Sequence, residues 1–415
     1  MEVVPRVILI LLAAIVLAGC NQSVKTQALD MVQEPFGACA ETAIANRYIV
    51  RWKNGTTSVA SDMDRSEVAE KIIEPNIDAI DFAEPDQKIR QAPPSDGGQL
   101  KAQATEDEDW GQVRTEVSSA WSQGIEGEGV IVAVIDSGAD VLHAQLKGQL
   151  AVNPGEIPAN GKDDDGNGLV DDVNGYDFDA RTGKVRDGTG HGTHVAGIIL
   201  ADHEAGKIKG MAPKAKLIPL DFMNDYGEGN ISDAIEALEY AVKRGAKVIN
   251  ASWGGAPCSL GLKKAIQDLE GKGVLFIAAS GNGDRLGRGI NLDVSPSYPA
   301  AFGLPAQITV GASTASDFMA GFSNYSPHVV NILAPGVGIL STYPSNQTAE
   351  MDGTSMATPF VAGAAALLWS YKPTATAEQI KQALLAGVDK GRYTVSTEGR
   401  MNVRKAVEEL AKLVP

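Results

Sequence analysis

Short apolar runs alternate with longer amphipathic stretches from Trp110 to the end of the chain. The run VIVAVI, which leads into Asp136, is β-branched and bounded by glycines, as expected of a parallel strand buried on both faces. LIPLDF, KVINASW, VLFIAAS, ITVGAS and VNILA have the same character. Between them lie stretches with helical spacing, such as ISDAIEALEYAVKRG, which ends at Gly245. The alternation predicts an α/β fold with a doubly wound, mostly parallel sheet over residues 110–415.

A smaller unit and a linker precede this domain. Within residues 48–90, YIVRWK alternates as a strand, SEVAEKII is helical, and DAIDFAEPDQKIR returns as a strand. This order predicts a small α+β domain. Residues 91–109 are polar, contain Pro, Gly and acids, and show no periodicity, so we expect a linker there. Residues 20–47 form a tether to the amino-terminal segment.

The amino-terminal pattern is that of an export signal. The apolar run over residues 7–18 is too short to span a bilayer, which needs about 20 residues. Its ending, LAGC, resembles bacterial lipoprotein signals, in which residues 1–19 would be removed and Cys20 acylated. The resemblance implies an anchor on the membrane of the bacterial cell envelope, and Asn21 favours the outer membrane in a Gram-negative host. The alternative is an ordinary secretory signal with an incidental cysteine.

Composition limits the class of protein and of partner. The 415 residues are 44% hydrophobic and 21% charged, which is typical of a globular chain with a sizeable core. A net charge of −16 argues against nucleic acid as a partner. Cys39 and Cys258 are the remaining cysteines, and an oxidising compartment would let them pair. The alternative is two unrelated thiols.

Three motifs supply an acid, a base and a nucleophile among small residues. Asp136 lies in VIDSGAD, His191 in GHGTHVAG and Ser355 in GTSMATP. The set suits acyl transfer, in which Ser355 attacks a carbonyl, His191 takes its proton and Asp136 orients the imidazole. The motifs and their order resemble the subtilisin-like serine proteases, or subtilases. The resemblance implies a serine endopeptidase that acts on peptide or protein substrates.

Each motif residue has a competing interpretation. Ser355 precedes an alanine-rich apolar stretch, so it could be only a helix cap. His191 and His194 could share a metal, but zinc needs a third ligand and the chain has no HExxH string. Asp140 lies in the same loop as Asp136, but Asp136 directly follows the strand, where ligand sites of such sheets lie.

The resemblance also assigns an oxyanion donor and a peptide groove. It makes the side chain of Asn282, in AASGNGD, an oxyanion donor, although Asn-Gly is also a turn sequence. Trp253 replaces the family's usual aliphatic residue and is expected to narrow a subsite. Glu228 is expected to favour basic substrate residues, the alternative being simple solvent exposure. The segments expected to pair with an extended peptide are Gly227, Glu228 and Gly229, and Ser252, Trp253 and Gly254.

An acidic stretch, KDDDGNGLVDDVNGYDF, lies between the first two motifs. It resembles a calcium-binding insertion of bacterial subtilases, and the resemblance implies a structural calcium ion. Its alternate oxygens follow EF-hand spacing, although Asn174 stands at the last ligand position. The alternative is a solvated acidic loop. The expected ligands are Asp163, Asp165, Asn167, the Leu169 carbonyl and Asp171. The segment His143–Leu146 lacks the carboxylate that often helps form another calcium site in the family.

The family resemblance finally implies that residues 48–90 are an inhibitory propeptide, with a plain structural extension as the alternative. A Cys39–Cys258 bridge would tie the amino-terminal segment to the catalytic domain. Two other functions remain as alternatives. A non-catalytic subtilase-like binding protein is disfavoured by the intact motifs, and an esterase is disfavoured by the peptide-pairing glycine segments.

Overall fold

The structure is a computed structural model that describes residues 24–34, 42–90, 110–255 and 258–415. Its helices are α1 (24–30), α2 (Arg65–Val68), α3 (Trp110–Thr115), α4 (Ser118–Trp121), α5 (His191–Leu200), α6 (Ile231–Lys243), α7 (Leu260–Gln267), α8 (Leu269–Lys272), α9 (Thr354–Tyr371), α10 (Ala377–Ala386) and α11 (Val403–Leu413). Its strands are β1 (Ala43–Trp52), β2 (Thr57–Ser61), β3 (Ile80–Arg90), β4 (Ile131–Asp136), β5 (Tyr176–Asp177), β6 (Lys216–Asp221), β7 (Glu228–Asn230), β8 (Val248–Ala251), β9 (Leu275–Ala279), β10 (Gln307–Ser313), β11 (Ile332–Pro335), β12 (Ile339–Tyr343), β13 (Gln347–Met351), β14 (Val388–Lys390) and β15 (Gly399–Met401).

The first of two units contains the described residues up to Gln87 together with Ser259–Gly261. Its antiparallel strands lie in the order β2-β1-β3. A capping box starts α2, because Asp64 Oδ1 accepts from the Glu67 amide at 2.9 Å and Glu67 Oε2 accepts from the Asp64 amide at 3.1 Å. Apolar side chains of the helices and strands form its core, among them Val32, Val50, Val68, Ile73 and Ile80.

The second unit, residues 88–258 and 262–415, contains a nine-stranded sheet. Its strand order is β14-β15-β11-β10-β9-β8-β4-β6-β5, and every pairing is parallel except that of β14 with β15. The chain enters at β4, places β5 and β6 on one side of it and β8 with the later strands on the other, so the carboxyl end of β4 is a switch point. The predicted α/β fold is confirmed.

Helix α9 lies in the core of this unit. Residues from Thr354 to Trp369 are buried, as expected for a helix that is apolar on all sides. It packs against α5 and against β8, β9, β10 and β11. Its alanines allow close approach to the sheet, and its amino-terminal end lies at the edge where the central strands end. The fold therefore gathers strand ends and helix starts on one edge.

Candidate active site

Asp136 is the last residue of β4 and is fully buried. Its Oδ1 accepts from the Ser137 amide at 2.8 Å and from Nδ1 of His191 at 2.7 Å. Two sequence-distant motifs are thereby joined through one carboxylate oxygen. Because Oδ1 also receives a backbone N–H, the carboxylate cannot rotate away from the imidazole without losing both bonds.

His191 is the first residue of α5, and two glycines allow it to lie against Asp136. Gly190 has φ +84°, and a Cβ there would lie 2.2 Å from the Tyr343 ring. Gly192 approaches the Gly138 carbonyl, which would lie 2.0 Å from an added Cβ. Side chains at these positions would force α5 away from β4. This is a physical reason for the glycines that flank the histidine in GHGTH.

The charge environment makes His191 a stronger base than an ordinary histidine. Burial by itself lowers the pKa of His191, but the charge and hydrogen bond of Asp136, together with the charge of Asp187, outweigh it and raise that pKa. A hydrogen bond from Nδ1 to a carboxylate also leaves Nε2 of the neutral ring as the acceptor. Nε2 is the nitrogen that a general base would use.

His194 and Asp140, the two competing candidates, form hydrogen bonds that hold the backbone rather than the site. His194 donates from Nε2 toward the carbonyls of Ile339 and Ala349 at 3.0 and 2.9 Å, and burial lowers its pKa to about 3. Asp140 accepts from the Leu142 and Ser345 amides and so holds a turn. The structure thus places Asp136, rather than Asp140, against His191.

Ser355 is the second residue of α9, and Ser252 holds it on two sides. Pro359 has no N–H, so the Ser355 carbonyl lacks its usual helical donor. The Ser252 hydroxyl takes that place, with Ser252 Oγ 2.9 Å from the carbonyl. The Ser355 hydroxyl in turn donates to the Ser252 carbonyl at 3.0 Å. To be activated by His191, this hydroxyl has to turn from Ser252 to Nε2, as expected of a resting site.

Asn282 is oriented by residues of the same helix start. Its Oδ1 accepts from the amide and the hydroxyl of Thr354, at 2.9 and 2.8 Å. Since a backbone N–H can only donate, Oδ1 must face Thr354, and Nδ2 faces away. A Cβ placed on Gly353 would lie 3.4 Å from Asn282 Nδ2 and 3.5 Å from the Ser355 amide nitrogen. Both nitrogens therefore lie close to Gly353 at the start of α9, and an oxyanion hole needs two such donors.

The structure describes both predicted peptide-pairing segments, and Ser252 of one of them contacts Ser355. Strand β7 pairs antiparallel with Lys88–Arg90, so this edge accepts an extended segment. Gly229 in β7 leaves no room for a Cβ, which would lie 2.4 Å from the Phe222 carbonyl oxygen. Trp253 is buried, and its indole N–H donates to the Ile135 carbonyl at 2.7 Å. The narrowing of a subsite by the Trp253 ring stays a prediction.

The sequence is similar to one family of known proteins. The sequence profile of the Subtilase family matches residues 127–400. Subtilisin Savinase of Lederbergia lenta is 36% identical over 277 residues, which are 66% of this chain and 89% of that protein. Subtilisin DY of Bacillus licheniformis is 33% identical over 288 residues (69% and 94%), and Thermitase of Thermoactinomyces vulgaris is 33% identical over 302 residues (72% and 95%). The chain belongs to the subtilase family.

This subtilase is a serine endopeptidase. The matched range contains Asp136, His191, Asn282 and Ser355, so the residues that the structure gathers at one sheet edge all lie within the family domain. The predicted family, fold class and enzyme class are confirmed. The roles of the individual residues stay predictions that the geometry supports.

An acidic cluster of this subtilase differs from the predicted ligand set. Glu156, Asp165 and Asp172 each offer a carboxylate oxygen, and these oxygens lie within 4.8 Å of one another. Glu156 is 7% exposed, and its Oε2 is buried with no hydrogen-bond partner among the described residues. Like charges this close favour a cation between them.

Only Asp165 is common to the cluster and the predicted set. Asp163 instead accepts from the amides of Gly166, Asn167 and Gly168, so its carboxylate stabilises the turn. Asp171 accepts from two other loop amides, those of Asn160 and Gly161.

Asn167, another predicted ligand, contacts two carboxylates of the cluster. Asn167 donates from Nδ2 to Asp165 and Asp172, while its Oδ1 accepts from the Leu169 amide. The predicted ligand set stays a prediction, and Asp165 is its one carboxylate that belongs to the converging cluster.

Gln145 occupies the position where the family often has a calcium-binding carboxylate. Its Nε2 donates to the Asp202 and Ile208 carbonyls, both at 2.8 Å. Its Oε1 accepts from the Ile208 amide at 3.2 Å. The amide thus fixes this loop through hydrogen bonds, a role that a carboxylate without a cation could not take.

The sequence reasoning missed Asp187. Its Oδ1 accepts from the Ser137 hydroxyl and the Gly190 amide, and its Oδ2 accepts from the amide and hydroxyl of Thr193. Burial raises the pKa of Asp187, against which these hydrogen bonds act. Asp187 therefore links the loop after Asp136 to the helix that begins at His191. The available signal was its place four residues before His191, in DGTGHGTH.

Some predicted features lie outside the described residues. These are the signal segment, Cys20, Cys39 and the linker over residues 91–109. Cys258 is disulfide-bonded, and its pairing with Cys39 stays a prediction. Among the described residues, no helix combines the length and the apolar character needed to cross a bilayer.

Proposed function

We propose that this endopeptidase cleaves peptide bonds through an acyl-enzyme on Ser355. His191 takes the hydroxyl proton through Nε2 while Asp136 stabilises the imidazolium that forms. Ser355 Oγ then bonds to the carbonyl carbon, and the oxyanion lies between Asn282 Nδ2 and the Ser355 amide. His191 returns its proton to the leaving amine, and a water molecule repeats the steps to release the acid. The observation that carries the proposal is the 2.7 Å contact between Asp136 and His191 at the edge that also holds Ser355.

Extended peptides are the substrates that this site favours. The pairing of β7 with Lys88–Arg90 supports it, because an edge strand that accepts one extended segment offers the same backbone groups to another. An esterase would gain nothing from such an edge. The same pairing supports a latent precursor, in which residues 48–90 act as a propeptide and their last residues occupy the peptide groove until they are cut away.

A structural calcium ion would be held by Glu156, Asp165 and Asp172. Their fit rests on the unpartnered buried Oε2 of Glu156 and on the chemistry of three converging carboxylates, which suits a hard cation with oxygen ligands. Bound calcium would neutralise the charge of the cluster and fix the loop on which these residues lie. Asn153 supports the arrangement by donating from Nδ2 to Asp165 and Asp172.

The proposed location is the bacterial cell envelope, with the chain anchored to the membrane through acylated Cys20. The proposal rests on the LAGC ending of the apolar amino-terminal run. A Cys39–Cys258 bridge would keep the mature domain attached even after the linker over residues 91–109 is cut. The disulfide state of Cys258 is compatible with this arrangement.

One experiment tests activity and latency together. Full-length wild type and Ser355→Ala are incubated, assayed on internally quenched peptides, and analysed by amino-terminal sequencing with and without reductant. We expect wild type to become active after a lag, with a new amino terminus within the linker, and Ser355→Ala to show neither. Full activity of an uncut chain would contradict latency, and hydrolysis by Ser355→Ala would contradict the acyl-enzyme.

A further inference from the structure

A segment of this chain lies along the β7 edge of the peptide groove, and its side chains indicate what the groove selects. Lys88–Arg90, the end of β3, pairs antiparallel with β7, which places Ile89 opposite Gly229 and Arg90 opposite Glu228. In an added strand, backbone hydrogen bonds provide affinity and alternate side chains provide specificity. The segment is therefore a guide to the sequences that this edge accepts.

The side chains of this segment alternate between enclosed and open surroundings. Ile89 is 2% exposed, whereas Lys88 and Arg90 on either side of it are exposed. The position opposite Gly229 thus holds a buried aliphatic side chain. The neighbouring position opposite Glu228 faces outward, within reach of the carboxylate.

An ion pair fixes the chemistry of that outward position. Arg90 Nη2 lies 3.0 Å from Glu228 Oε1, and the side chains are 71% and 35% exposed. Asn224 holds the backbone of Glu228, since its Oδ1 accepts from the Glu228 amide at 3.1 Å and its own amide donates to the Glu228 carbonyl at 2.8 Å. The acid is therefore positioned by its own loop, and a bound peptide meets a charge that is already in place.

We propose that Glu228 selects substrates with Arg or Lys at the position that pairs with it, next to an aliphatic residue at the position that pairs with Gly229. The inference rests on the proposed function, because it assigns a preference to the same groove. The pair is exposed, so its effect on kcat/KM is about two- to five-fold, as for other surface ion pairs. The net charge of −16 attracts basic peptides as a whole, so the test must separate this local preference from the overall charge.

Quenched peptides that contain Lys-Ile-X, with X as Arg, Gln or Glu, test the inference. X is moved through the positions that precede the cleaved bond, and the processed enzyme is used after titration of its active sites. At one position we expect Arg to exceed Gln by about two- to five-fold in kcat/KM, with Glu below Gln. Glu228→Gln should remove this difference and Glu228→Lys should reverse it, while higher salt should reduce it in wild type.

The matched control is Glu378→Gln, which removes an exposed acid from the first turn of α10 and should keep the preference. Equal rates for Arg and Gln at every position would overturn the inference and leave the proposed function intact. If Glu228→Gln kept the preference for Arg, the overall negative charge of the protein would explain that preference, and the inference would also be overturned. If the titrated enzyme cleaved no peptide at all, the proposed function itself would fail.

Discussion

Asp187 shows how a single residue outside the triad raises the pKa of His191. It contacts the hydroxyl of Ser137 on one motif and the backbone around His191 on the other. Burial raises the pKa of Asp187, and the N–H donors on both of its oxygens oppose that rise. The negative charge of ionised Asp187 adds to that of Asp136 in raising the pKa of His191. A residue that touches neither nucleophile nor substrate thus influences the protonation of the base.

Replacing Asp187 with Asn is expected to move the acid limb of the kcat/KM profile to lower pH. The change removes a negative charge that helps raise the pKa of His191, so the imidazole loses its proton at a lower pH. The kcat/KM profile reports this pKa in the free enzyme. The control is Asp140→Asn, which removes another negative charge near the site from a residue that holds a turn of the loop after β4. An acid limb that stays in place in Asp187→Asn would leave Asp187 with only a structural role.

Asn282→Ala is expected to lower kcat far more than it raises KM. The side chain faces the point where negative charge develops, so it stabilises the transition state more than the bound substrate. A loss of about 10²–10³ in kcat is the magnitude known for the corresponding kind of donor in subtilisin, a member of this family. Steady-state kinetics on one quenched peptide measure it. A change confined to KM would contradict the oxyanion role.

Residues with a motif could be predicted from the sequence, and residues without one could not. Asp136, His191 and Ser355 lie among small residues that the close packing of β4, α5 and α9 requires, so each reactive residue belongs to a recognisable motif. The role of Asp187 depends on contacts that form only on folding, so the sequence did not single it out. The same holds for Ser252, whose bond to the Ser355 carbonyl follows from the missing N–H of Pro359.

At the scale of elements, the loop between β4 and β5 shows how folding brings acids together that spacing does not. The alternate acids of the sequence predicted one ligand set, and in the structure Asp163 and Asp171 of that set accept from backbone amides of the loop. The converging carboxylates come from separate parts of the loop, because Glu156 lies before the acidic run while Asp165 and Asp172 lie within it. Loop closure of this kind cannot be deduced from local spacing.

Glu156→Gln is expected to reduce the stabilisation that calcium gives. A cation that binds the folded protein adds about 2.7 kcal/mol at a hundredfold excess over its Kd. Removing one of three carboxylates weakens binding, so the rise in Tm on adding calcium to EDTA-treated protein should shrink. Asp163→Asn is the matched control, because it should lower Tm equally with and without calcium. An unchanged calcium-dependent rise in Glu156→Gln would argue against this ligand set.

At the scale of the whole molecule, alternation of strands and helices was enough to predict the fold class. Buried parallel strands have a distinct apolar composition, and the switch point at β4 follows from the order in which the strands add. The sequence also indicated a small α+β segment, and the structure has β1, α2 and β3 there. The pairing of the end of β3 with β7 could not be predicted, because it joins segments that are far apart in the chain.

Labelling by a fluorophosphonate decides whether Ser355 is the nucleophile of this peptide-cleaving subtilase. The processed wild-type enzyme and Ser355→Ala are treated with the reagent, and the modified residue is identified by mass spectrometry. We expect one phosphonylated serine, Ser355, with loss of peptide hydrolysis in proportion to labelling, and no label in Ser355→Ala. Labelling of Ser355→Ala to the same extent, or full hydrolysis by a fully labelled enzyme, would show that Ser355 is not the nucleophile.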